Sequence, residues 1–344
     1  MSTDHRIAME QPGLFVTGGA GFIGSNFVRM AVERGYNVTV FDALTYAGNM
    51  ENLAGLEERI RFIRGDICDA ASVRNALREA EPHAVVHFAA ESHVDRSILG
   101  PKIFTETNVL GTHVLLEECR QAGIERFIHI STDEVYGSLG NTGLFTEESP
   151  LNPTSPYAAS KAASDLVVQS YAKTYDFPAI ILRCSNNYGP FQFPEKLIPL
   201  MIIKASNDEE LPVYGDGQNV RDWIFVGDYG SAIFRAIEHG IPGEVYNVGS
   251  NNEWKNIDIV RLILEEMHKP FSLVTFVKDR PAHDRRYAID SSKIQRDLGW
   301  RAETSFEKGI RQTIEWYMTH RQWWKNIMTG EYLEYYQKNY EPKR

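Results

Sequence analysis

Two short stretches carry side chains able to move protons, and a third could hold phosphate. Asp133 and Glu134 stand side by side in "STDEVYG", just after the apolar run Phe127 to Ile130. Adjacent carboxyls can act as acid and base together if burial and mutual repulsion hold a proton on one of them. Ser131-x-x-Glu134 also fits a helix capping box, so the acids could instead serve a helix N-terminus. Tyr136-Gly137 and the glycines up to Gly143 predict a loop soon after, which disfavours a long helix there. Farther on, Ser155 and Pro156 read as the cap and first residue of a helix. On that helix Tyr157 and Lys161 fall one turn apart on one face. A tyrosine ordinarily ionises near pH 10, and a neighbouring ammonium would lower that value. Taken alone, the pair is also what an exposed i,i+4 contact looks like.

The third stretch is Gly18-Gly19-Ala20-Gly21-Phe22-Ile23-Gly24, between an apolar run and a helical pattern. Small residues at a strand-to-helix turn let a pyrophosphate approach backbone N–H groups, and the helix N-terminus favours its charge. The alternative is a tight turn without a ligand. Asp42 closes the next apolar run, where a carboxylate would accept from ribose hydroxyls and repel a 2′-phosphate, favouring NAD over NADP. Asp66 and Ile67 could line the adenine, though strand ends often carry an Asp as a turn residue.

The elements that must hold these groups alternate. Apolar runs at 14–17, 37–41, 61–63, 84–88, 127–130 and 179–182 read as strands. Helical patterns occupy 25–34 and 104–122 and begin again near Tyr157. This order predicts an α/β fold of Rossmann type, a doubly wound parallel sheet whose ligands lie beyond the strands' carboxyl ends. Past Gly189 the pattern loosens around Pro190, Pro194, Pro199 and Pro212. The expected division is a loose extension over 1–12, a dinucleotide-binding domain over 13–189 and a smaller, mainly substrate-binding lobe over 190–344 that returns to the sheet. The aromatic-rich stretch 316–340 is expected to pack against the body.

Composition narrows the classes. A chain of 344 residues, 43% hydrophobic, with a net charge of −10, fits a globular protein and disfavours broad nucleic-acid binding. No apolar stretch reaches the roughly 20 residues of a membrane helix. Cys68, Cys119 and Cys184 are far apart and form no CxxC pair. With no leader-like start, this suggests a cytoplasmic location, and no metal is expected.

Taken together, the glycine turn, the strand-end Thr132 and the Tyr157/Lys161 pair resemble the extended short-chain dehydrogenase/reductase superfamily, over essentially the whole chain. The longer strings "FDALTYAGN", "FAAESHVDRSI", "TDEVYG" and "SNNYGPFQFPEKLIP" resemble its dTDP-glucose 4,6-dehydratase family more closely than the GDP-mannose enzymes. The resemblance implies oxidation of a sugar at C4 by bound NAD+, with Tyr157 as base, Thr132 and Lys161 assisting, Asp133 as acid and Glu134 as base in loss of water. It implies NAD contacts from Gly18, Gly21, Phe22, Ile23, Gly24, Asp42, Leu44, Thr45, Asp66, Ile67, Phe88, Ala89, Ala90, Thr107, Tyr157, Lys161 and Asn187. For dTDP-glucose it implies Ser92, Thr132, Asn186, Lys196, Leu197, Pro212, Tyr214, Arg221, Asn256, Arg280 and His283. Asn108 would match an additional active-site asparagine. Ala282 departs from the family's usual glycine, which puts the nucleotide loop's details in question. A homodimer pairing the helices 104–122 and 157–174 is also implied. A 4-epimerase, a dehydratase of another nucleotide sugar and a non-catalytic NAD-binding protein remain the alternatives.

Overall fold

The computed structural model describes residues 12–279 and 284–328. Its main sheet is parallel, with β1 (Gly13–Thr17), β2 (Asn37–Asp42), β3 (Ile60–Arg64), β4 (Ala84–His87), β5 (Arg126–Thr132) and β6 (Ala179–Cys184). After β7 (Asn186–Tyr188), β8 (Leu211–Tyr214) and β9 (Val220–Phe225), the chain returns as β10 (Val245–Val248), which pairs with β6. The order across the sheet is β10-β6-β5-β4-β1-β2-β3. The reversal on either side of β1 and β4 opens the crevice in which α/β sheets bind ligands.

Both faces of the sheet are covered, which explains its near-continuous apolar strands. One face packs Val16, Val40 and Ile128 against the helices Phe22–Glu33 and Val226–His239 through Phe27, Val28, Ile233 and Phe234. The other packs Phe15, Val85 and Phe127 against helices bearing Leu77, Leu116 and Val168. A second core lies in the later lobe, around Ile198, Ile202, Trp223, Ile259 and Phe306. There β9 pairs with β7 and β11 (Glu253–Lys255), and β8 pairs with β12 (Val274–Val277). Trp323 and Trp324 enter this core, and the Trp323 indole donates to Asn52 Oδ1 at 2.8 Å.

Two helices differ from the expected spans. The first begins at Phe22 instead of Ser25, because the glycine turn runs directly into it. The expected helix over 104–122 is broken by a π-helical stretch, Thr105–Gly111, before resuming at Thr112–Ala122. Asn108 sits inside that stretch, fully buried and tied to Glu91 and Ser160. Apolar periodicity cannot register one extra residue in a turn.

Candidate active site

The glycine turn works through close approach. Gly18 has a φ of +70°, and a Cβ there would stand 2.5 Å from the Ala89 nitrogen. A Cβ on Gly24 would stand 2.3 Å from the Gly18 carbonyl oxygen. The turn thus brings the first helix against β1 and β4. Gly21 opens that helix with no side-chain cap, which leaves the helix start free of a side-chain acceptor and suited to an anion.

Asp42 ends β2, buried at 7% exposure. Its Oδ2 accepts from the Ala20 N–H at 2.9 Å and its Oδ1 from the Leu44 N–H at 2.8 Å. Leu44 itself takes a left-handed conformation, φ 54°, and braces the carboxylate without lining the cleft.

These groups open into one cleft of about 360 Å³. It is lined by Gly18, Gly21, Phe22, Ile23, Gly24, Asp42, Thr45, Asp66, Ile67, Phe88, Ala89, Ala90, Thr107 and Asn187 on the expected cofactor side. Ser92, Asn186 and Lys196 line it toward the second lobe. The residues fit NAD on two observations: the uncapped helix start beside a turn in which Gly18 and Gly24 leave no room for a Cβ, and Asn187 Oδ1, buried without a partner.

Thr132, Asp133, Glu134, Tyr157 and Lys161 line the same cleft. Tyr157 and Lys161 stand on the helix Pro156–Tyr175, which begins where expected: Ser155 Oγ accepts from the Ala158 N–H at 3.1 Å and Pro156 occupies the first turn. Lys161 Nζ donates to the Ile130 carbonyl of β5 at 2.7 Å. Burial lowers Lys161 to about 8, against the charge of Asp165. Asp165, one turn on, holds the buried Arg183 Nε at 2.8 Å. The expected lowering of Tyr157 is not a property of the protein alone. Burial raises its phenol well above the usual value, Glu134 and Cys184 add to this, and a hydrogen bond with Thr132 opposes it.

The acid pair occupies a single 3₁₀ turn, Asp133–Tyr136, at the end of β5. Thr132 caps it, accepting the Glu134 N–H at 3.2 Å. The expected Ser131-x-x-Glu134 box does not form: Ser131 is still in β5 with its hydroxyl unpartnered, the cap falls one residue later on Thr132, and the turn stops at Gly137, whose φ of +84° carries the chain away. Asp133 is 1% exposed and its Oδ2 has no hydrogen-bond partner. Burial raises Asp133 well above the carboxylate range; Glu134 and Asp222 reinforce the shift, and Arg221 opposes it. Glu134 remains partly exposed.

Other expected residues do not line the cleft. Leu197 starts the helix Leu197–Ser206, and Pro212 and Tyr214 lie on β8. Arg221 is buried on β9, donating to the Asp284 carbonyl at 2.9 Å, and Asn256 begins the helix Asn256–Glu266. The Asn219 side chain also donates to the Asp284 carbonyl, and the Asn219 carbonyl accepts the Asn256 N–H, so Arg221 and Asn256 meet at one end of the lobe. Arg280, Ala282 and His283 lie outside the described residues. Asn108 does not line the cleft; it staples the loop after β4 to the Tyr157 helix.

Sequence reasoning passed over Tyr46, Phe193 and Glu195, which line the cleft where three loops meet. The Tyr46 and Phe193 rings meet edge to face, and the Arg96 guanidinium lies 3.9 Å from the Tyr46 ring centre. Glu195 Oε1 is 3.2 Å from His93 Nε2, and burial pushes Glu195 up to about 7. All three sit inside strings quoted for their resemblance; the usable signal was a lone acid between a proline and a lysine in "FPEK".

Comparison with known proteins agrees with this geometry. Residues 15–313 match the family model described as GDP-mannose 4,6 dehydratase. The chain is 52% identical over 337 residues to a dTDP-glucose 4,6-dehydratase of Xanthomonas campestris, covering 92% of this chain and 96% of that one. It is 48% identical to a dTDP-glucose 4,6-dehydratase of Escherichia coli, covering 93% and 97%. The crystal structure of DesIV, a dTDP-glucose 4,6-dehydratase from Streptomyces venezuelae with NAD and TYD bound, superposes with a TM-score of 0.89 at 49% identity, covering 91% of this chain and 99% of that one. The family model and these near-full-length relatives share 4,6-dehydratase in their names and differ in the sugar nucleotide named. Between them, and with a buried acid beside a second carboxylate at the end of β5, the chain belongs to the dTDP-glucose 4,6-dehydratase family.

Proposed function

We propose that this chain converts dTDP-glucose to dTDP-4-keto-6-deoxyglucose, and that one observation carries the reading: a buried Asp133 and a partly exposed Glu134 share a cleft with Tyr157 and Lys161. NAD, when bound, supplies hydride acceptance at C4, hydride return at C6 and a positive ring charge that favours the phenolate. Gly18, Gly21, Gly24, Asp42 and Asn187 would hold it. Tyr157, as phenolate, takes the C4 hydroxyl proton, with Lys161 supplying positive charge and Thr132 positioning that hydroxyl. The C4 ketone acidifies the C5 hydrogen, which Glu134 removes. Asp133, kept protonated by burial and its anionic neighbours, gives a proton to the departing C6 hydroxyl. Glu134, partly open to the cleft, exchanges its proton with solvent and gives a proton to C5 as C6 is reduced.

Incubation of the NAD-loaded protein with dTDP-glucose tests this. A dehydratase releases a product lighter by one water. A 4-epimerase gives an isomer of unchanged mass, and a non-catalytic binder gives neither.

The reading extends to assembly. Ile98, Leu99, Ile103, Leu110, Leu166 and Tyr175 are 40–57% exposed on adjoining helices that include the one bearing Tyr157. A second copy covering this apolar strip supports a homodimer. Light scattering should give twice the chain mass, and Leu166→Glu should shift it toward the monomer; a wild-type monomer at micromolar concentration would contradict the dimer. The three free cysteines fit a cytoplasmic setting.

A further inference from the structure

The cycle just described, on which this inference rests, leaves one proton out of place. Oxidation puts the C4 hydroxyl proton on Tyr157. Elimination breaks the C5–H bond toward Glu134 and the C6–O bond, with the Asp133 proton leaving in the water. Reduction at C6 with protonation of C5 restores Glu134. The sugar has then become product plus water with no net proton exchanged. Tyr157 nevertheless ends with one proton too many and Asp133 with one too few.

We infer that the Thr132 hydroxyl carries this proton back, taking it from the Tyr157 phenol and delivering one to the Asp133 carboxylate between turnovers. Thr132 Oγ1 donates to Asp133 Oδ1 at 3.4 Å, and Thr132 lines the same cleft as the Tyr157 phenol, near enough to favour its ionisation. A hydroxyl has one donor and two acceptor positions. Here the Glu134 N–H occupies one acceptor position at 3.2 Å. The remaining acceptor position suits the phenol O–H while the hydroxyl hydrogen faces Asp133. Passage of the proton reverses both hydrogen bonds and leaves phenolate, hydroxyl and carboxylic acid. No bond to carbon changes.

Bulk water is a poor competitor at this point, since Thr132 is 8% and Asp133 1% exposed. Burial and nearby anions raise both ends of the relay, strengthening the acceptor and weakening the donor. At Asp133, burial, Glu134 and Asp222 favour the protonated acid, against Arg221. At Tyr157, burial, Glu134, Cys184 and Asp133 oppose ionisation, and Thr132 favours it. The Lys161 ammonium, fixed on the Ile130 carbonyl, offers positive charge on the phenol's own helix.

The test separates first from later turnovers in NAD-loaded protein mixed with dTDP-glucose in weak buffer containing a pH-indicator dye. Wild type should show equal first and later rates and no proton exchanged with the medium between them. Thr132→Val keeps the shape and removes the hydroxyl. It should complete a slowed first turnover, then fall about 10²-fold below its own first rate. Each later turnover should be accompanied by proton release and uptake visible to the dye, and imidazole in the medium should speed these turnovers. Thr132→Ser should restore equal rates and abolish the proton signal. Later turnovers of Thr132→Val as fast as its first, or a Thr132→Ser variant that stalls as Thr132→Val does, would overturn the relay. If wild type releases no dehydrated product at all, the dehydratase reading beneath the relay fails instead, and the relay with it.

Discussion

The oxidation pair and the elimination pair are built by opposite means. Tyr157 and Lys161 ride on a 20-residue helix that is capped by Ser155. That helix is tied to β5 by the Lys161–Ile130 hydrogen bond and anchored below by Asp165 on Arg183. Asp133 and Glu134 occupy one 3₁₀ turn at a strand end. In the first pair, spacing on a rigid element sets the geometry. In the second, two chemically similar neighbours are made different by their surroundings, one 1% exposed among anions and the other partly open to the cleft. A hydroxyl–ammonium pair can serve any oxidation at C4, whereas an acid and a base held side by side in opposite protonation states serve an elimination.

Substitutions can break either half. Tyr157→Phe removes the base of the first step, so turnover should fall by about 10⁴-fold. No reduced cofactor should appear in the near-ultraviolet on mixing with dTDP-glucose; its appearance at the wild-type rate would remove Tyr157 from that role. Glu134→Gln should lower turnover by about 10²- to 10³-fold. It should also abolish solvent deuterium incorporation at C5 while leaving oxidation at C4 intact, and product carrying normal deuterium at C5 would show another base at work. The smallest effect concerns pH. Lys161, lowered to about 8, is charged below that pH and neutral above it. The rate should therefore drop about tenfold per unit as pH rises past this value. Lys161→Arg, whose guanidinium stays charged, should flatten that limb even at reduced overall rate. A limb that survives Lys161→Arg belongs to another group.

The two halves were also unequally legible. The glycine turn, Asp42 and the Ser155-Pro156 helix start are local devices, and each lies where its residue types put it. Asp133 and Glu134 were visible as a pair, but the capping box was placed one residue early, since Thr132 and not Ser131 caps the turn, while the acids line the cleft. What separated them was burial of Asp133, reinforced by the charge of Asp222 and opposed by that of Arg221, nearly 90 residues away on β9. The clasp of Tyr46, Phe193 and Glu195 was hidden for the same reason, since it joins loops after β2, β4 and β7. The π-helical stretch around Asn108 escaped because a residue inserted in a helix leaves no compositional trace.

The most direct test of the division of labour is Asp133→Asn in the NAD-loaded protein, mixed rapidly with dTDP-glucose and followed by cofactor absorbance and quenched-sample mass together. The reduced cofactor should form at near wild-type rate and accumulate, with a sugar oxidised at C4 that retains its C6 oxygen. Water should then be lost about 10²-fold more slowly than in wild type. Dehydration at the wild-type rate, with no accumulation of reduced cofactor, would contradict Asp133 as the acid.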